Sequence, residues 1–204
     1  MILRAIRGRA STDELAAFHR ALAETLGRDA AEQRGPEQYH LASRPAVAHS
    51  EASGLDAELE ALVISRWSSA EAAASGDARK VSPLVIAQRH LHDLTVEHFE
   101  IDDSFIRRSD AHPVAIRLAT GRFSRPGADA QMQALMRERA PLIGDEMTEA
   151  YVGRRMVGPA VEVTFVSAWS RPPADRPLEE AFWPDIALRY DVFRVEVYAT
   201  MGVE

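Results

Sequence analysis

Three short segments recur in the same order in both halves of this chain of 204 residues. Gly8-Arg9-Ala10-Ser11 matches Gly121-Arg122-Phe123-Ser124 at an offset of 113. The stretch from Val63 to Ser68 matches Phe165 to Ser170 at 102, and Thr95 to Phe99 matches Arg194 to Tyr198 at 99. Internal similarity restricts a fold more than composition does, because each copy must repeat one supersecondary unit. The matches suggest a tandem duplication joined near Ser109–Pro113, with a first unit over residues 1–110 and a second over 111–204. The shrinking offset makes the first copy the longer one internally.

Each half reads β-α-β-β-α-β. In the first, Ile2–Arg9 is rich in Ile and Leu and predicts a strand. Ser11 or Thr12 can cap the next helix, with Glu14 completing a capping box. Leu15, Phe18, Leu22 and Leu26 recur at helical spacing and mark a buried stripe. Gly35-Pro36 is a stop signal, and a poorly patterned strand follows within Tyr39–Ser50. Leu59–Trp67 predicts a strand, Ser68 or Ser69 caps a short helix over Ala70–Ser75, and Leu94–Ile101 closes the half. Pro83–His92 fits either an extended stretch or an extra helical turn. In the second half the strands are Val114–Phe123, Met147–Val157, Ala160–Trp169 and Phe193–Met201, with Gly158-Pro159 as a hairpin turn. Helices are expected over Ala128–Arg139 and Pro177–Leu188.

Two four-stranded antiparallel sheets, each backed by helices on one face, make an α+β class. Composition removes several functions. With no cysteine there is no disulfide framework, thiolate metal site or cysteine nucleophile. A net charge of −7 argues against nucleic acid as a partner. No apolar run reaches the ~20 residues of a membrane-spanning helix, and the start lacks a signal-peptide core, so a cytoplasmic protein is expected. Lys80 is the single lysine and sits in a polar loop, which leaves little lysine chemistry. Neither a Gly-rich phosphate loop, a Gly-x-Ser-x-Gly elbow nor a His-Glu-x-x-His motif is present.

The β-α-β-β-α-β order, with a strand-ending Trp-Ser before a short helix at Trp67-Ser68 and Trp169-Ser170, resembles the dimeric α+β barrel superfamily. That superfamily includes antibiotic-biosynthesis-type monooxygenases and haem-degrading enzymes. The resemblance implies tandem ferredoxin-like units that pair their sheets into a barrel, each with a ligand pocket between sheet and helices. Arg9, Arg122, Trp67 and Trp169 match the haem-degrading members. Those members place an asparagine where this chain has Gly8 and Gly121, and a histidine near Asp77 and Glu179. The chain has no asparagine at all, which excludes asparagine-assisted oxygenation in its usual form.

The residues themselves point to a flat, apolar or aromatic ligand. Trp67 and Trp169 share strand parity with Val63 and Phe165 and so stand among apolar side chains. The second half is expected to hold the better pocket, walled by Trp169, Phe165, Phe182 and Met136, with Tyr151 and Arg122 as polar contacts. Trp67, Arg9 and His19 line the alternative pocket in the first half. Tyr190 and Tyr198 are further phenol donors. His90, His92 and His98 share a face only if that stretch is extended, so no metal site is expected. No cofactor is required, and haem is the one the resemblance admits. Monooxygenase chemistry and non-catalytic binding by a stress-type barrel protein both fit these features, in a monomer or homodimer.

Overall fold

The computed structural model describes residues 1–31, 35–46, 58–106, 112–123, 134, 137–138, 146–173 and 189–200. The strands are β1 (Ile2–Ala10), β2 (Gln38–Pro45), β3 (Leu59–Trp67), β4 (His92–Ile106), β5 (Ala115–Phe123), β6 (Met147–Val157), β7 (Ala160–Trp169) and β8 (Arg189–Thr200). The helices among the described residues are α1 (Thr12–Ala31), α2 (Ala70–Asp77) and α3 (Pro83–His90). The strands follow the order β1-β3-β2-β8-β5-β7-β6-β4, that of a closed barrel. Two compact units divide the chain: Met1–His98 with Val195–Glu204, and Phe99–Arg194. No described helix is long and apolar enough to cross a membrane.

Local signals account for the helix starts. At α1 the Glu14 carboxylate accepts from the Ser11 N–H at 3.0 Å and its hydroxyl at 2.9 Å, so the capping box forms. Those bonds hold the Glu14 carboxyl below the usual carboxylate range. Ser69 caps α2 and Ser82 caps α3, each accepting a hydrogen bond from the third residue onward. The cap and Pro83 make α3 a helix, settling the ambiguous stretch; β4 then runs longer than expected at both ends. At the β6–β7 hairpin, Gly158 takes φ +60°. The segment Ala128–Arg139 is described only at Ala134, Arg137 and Glu138, which are helical, and Pro177–Leu188 lies outside the described residues.

Pairing register explains the sequence matches. Trp67 faces Ile2, Ser65 faces Arg4 and Glu60 faces Arg9 across β1 and β3. Trp169 faces Ala115, Ser167 faces Arg117 and Glu162 faces Arg122 across β5 and β7. The offsets of 113 and 102 thus carry one register onto the other. Likewise Tyr39 and Leu41 on β2 stand where Ala150 and Val152 stand on β6.

In the first unit one sheet face carries Ile6, Ala10, Tyr39, Leu41, Ala61 and Val63. Leu15, Phe18, Leu22 and Leu26 of α1 and Ile86 and Ala87 of α3 pack on it. All of these side chains are buried, so the space between sheet and helices is filled.

Candidate functional site

Burial at the end of that packed face is polar. Arg4 is fully buried, and its guanidinium lies 4.8 Å from the Trp67 ring centroid. Its Nε donates to the Ser65 hydroxyl at 3.2 Å, which also accepts from the Trp67 indole N–H at 3.0 Å. Its Nη1 pairs with the Asp77 carboxylate at the end of α2. Desolvation lowers the Arg4 pKa, and Asp77 opposes that effect. Gly76 packs against Trp67: an added Cβ there would stand 2.8 Å from the indole Cζ3. A side chain at Gly8 would likewise meet Leu91 Cβ at 2.8 Å, so the asparagine of haem-degrading members has no room there.

The second unit repeats this arrangement at the sheet. Arg117 and Ser167 are buried opposite each other, and the Trp169 N–H donates to the Ser167 hydroxyl at 2.9 Å. What surrounds them differs in size. Around Phe165 stand Ala119 and Val152; around its counterpart Val63 stand Ile6 and Leu41. Beside Ser167 stands Ala150, where Ser65 has Tyr39.

Of the expected pocket residues, Trp169 and Phe165 share this face. Strand alternation puts Tyr151 and Arg122 on the opposite face. There the Tyr151 hydroxyl donates to buried Glu149 at 3.1 Å. Arg122 Nε and Arg155 Nε donate to the two oxygens of Glu162 at 2.9 and 2.8 Å. Burial pushes the Glu162 carboxyl up, but these bonds and charges outweigh it and hold it below the usual range. Met136 and Phe182 lie outside the described residues.

In the first unit, Trp67 is buried, with Gly76 against its ring. His19 is half-buried on α1 beside Phe18. Arg9 is half-exposed, 3.9 Å from Glu58 and Asp93, a weak surface pairing. The three histidines go to separate neighbours: His92 to Glu58 at 3.0 Å, His98 to Asp77 at 3.9 Å, and His90 toward the Phe18 ring. Among the described residues no three His, Asp or Glu side chains converge as metal ligands would. Haem does not fit the helix-covered space of the first unit, which Leu15, Phe18, Leu22, Ile86 and their sheet partners occupy.

Sequence reasoning missed Arg4, Ser65, Arg117 and Ser167. The offsets that align the tryptophans align these residues too, but arginine is usually a surface residue.

No family model matches the sequence, and no curated protein matches it. Among solved structures, a "putative monooxygenase" from Fusobacterium nucleatum is similar with a TM-score of 0.63 at 11% identity, covering 98% of this chain and 94% of that one. Another from Lactobacillus acidophilus has a TM-score of 0.58 at 13% identity, covering 98% and 97%. An anthrone oxidase-like protein has a TM-score of 0.52 at 13% identity, covering 98% and 93%. Such identities show a shared fold, and the chain accordingly has an α+β fold of the dimeric-barrel type.

Proposed function

We propose that the second unit binds a flat apolar or aromatic small molecule against the strand face that carries Trp169 and Phe165. In this reading the two ferredoxin-like repeats, 1–110 and 111–204, have diverged: the first is a packed core and the second keeps a site. One observation carries it, the exchange of side-chain size around the aromatic residues. Ala119, Ala150 and Val152 stand where the first unit has Ile6, Tyr39 and Leu41, while Phe165 stands where it has Val63. Small residues beside an aromatic ridge form a floor on which a flat molecule can stack. Sites for such ligands combine aromatic walls with a few placed polar groups, here Arg117 and Ser167.

The neighbours described as monooxygenases and as anthrone oxidase-like support extending this reading to oxygenation of the bound molecule by dioxygen. A water-poor, aromatic-lined surface suits such chemistry, because it protects reactive intermediates from hydrolysis.

Titration with a fluorescent flat probe, 1-aminoanthracene, tests the binding. Trp169→Ala should raise its Kd by about tenfold or more, as truncation of a central aromatic contact does. Trp67→Ala should leave it within about twofold. If only Trp67→Ala weakens binding, the site belongs to the first unit.

A further inference from the structure

We infer that Arg4, Ser65 and Trp67 form a receptor for a small carboxylate, and that the chain keeps this receptor closed by filling it with its own Asp77. Asp77 is then an autoinhibitory contact at the end of α2. The inference concerns the first unit and does not rest on the function proposed for the second.

The use made of the buried guanidinium is uneven. Arg4 Nε is taken by the Ser65 hydroxyl, which the Trp67 indole N–H also reaches. That leaves the edge carrying Nη1 and Nη2. Asp77 meets this edge at Nη1 alone, through Oδ1. Nη2 is buried and has no hydrogen-bond partner among the described residues. The second oxygen of Asp77, Oδ2, stands instead 3.9 Å from Nε2 of half-exposed His98 on β4. Among the described residues, Asp77 is the one acid that acts on Arg4, and Arg79 is the neighbouring cation.

A carboxylate free of the backbone can meet both N–H groups of that edge in two parallel hydrogen bonds. Asp77, tethered to α2, fills only half of the fork, and a buried donor left unpaired is costly. The strap that carries it is light: of the eight residues of α2, Ala73 and Gly76 are the buried ones. The backbone around Asp77 has ties of its own. Arg79 Nε donates to the Gly76 carbonyl at 3.3 Å, and Arg79 Nη1 donates to Asp29 at 2.6 Å. The Ser82 hydroxyl donates to the Asp77 carbonyl at 3.4 Å. None of these contacts uses the Asp77 carboxylate. Cutting that side chain back to alanine therefore keeps the frame and removes a group the size of formate.

Urea unfolding of Asp77→Ala in sodium formate tests this. The comparisons are sodium chloride at equal ionic strength and formamide, which has the shape of formate without its charge. Formate should raise the folding equilibrium constant of the variant in proportion to its concentration, by about tenfold where it stands at about nine times its Kd. Chloride and formamide should leave that constant within about twofold. The wild-type protein should gain no more from formate than from chloride, because Asp77 already fills the receptor. Arg4→Met combined with Asp77→Leu lacks the receptor and should not respond either. Asp77→Ser also removes the carboxylate and serves if the alanine variant fails to fold. A formate response no larger than that of chloride in these Asp77 variants would overturn the inference. An equal response in the wild type or in the double variant would overturn it as well.

Discussion

Replacing Asp77 by alanine lowers the folding stability by about 3–5 kcal/mol, the cost of leaving a buried charge without its partner. Arg4 has no exposed surface, and Asp77 is the carboxylate that meets it. The variant keeps every apolar contact of the α1 stripe, so a loss of that size isolates the ion pair. Urea unfolding at neutral pH measures it, and a second protein separates charge from packing. Arg4→Met combined with Asp77→Leu should recover most of the stability, because apolar residues of similar volume replace a buried ion pair at little cost. A loss below about 1 kcal/mol in Asp77→Ala would mean that Arg4 is hydrated and that its ion pair behaves as a surface one.

The second large effect lies in the packed layer. Phe18→Ala should cost about 3–5 kcal/mol, the lost transfer energy of a buried ring plus the cavity it leaves. Phe18 is fully buried between α1 and the sheet residues of the same cluster. The neighbours are held by two helices and three strands, so collapse into the gap is limited. The same urea experiment applies. A cost below about 1.5 kcal/mol would show that the space between sheet and helices of the first unit is loosely filled and not a packed core.

The strands were legible because they alternate and because the internal matches preserve their register. Trp67-Ser68 and Trp169-Ser170 mark the ends of β3 and β7. The α1 stripe was legible because its period is helical and Glu14 completes a capping box. The stretch at Pro83 was not, since an eight-residue element is too short for period alone to decide, and the cap at Ser82 settles it. The sharing of faces was harder to read. Trp169 and Phe165 lie on one strand, so parity unites them; Tyr151 and Arg122 lie on neighbouring strands, where pairing register sets the face. Sequence alone does not give that register. Arg4 and Arg117 were hidden for a different reason. A buried arginine needs a partner from a distant segment, and Asp77 lies 73 residues from Arg4.

If the second unit has space where the first has side chains, Ala150→Tyr should fill it. This substitution restores the residue that the first unit carries at the corresponding position, Tyr39. Ala150 has no exposed surface, so a phenol ring fits there only if a space of ligand size adjoins it. Unfolding in urea and titration with 1-aminoanthracene are measured on the same variant. Stability within about 1 kcal/mol of wild type and loss of probe binding are expected, because the tyrosine occupies the ligand's place. Destabilisation by about 3 kcal/mol or more, the mark of an overpacked core, or a folded variant that still binds the probe with wild-type affinity, would contradict it.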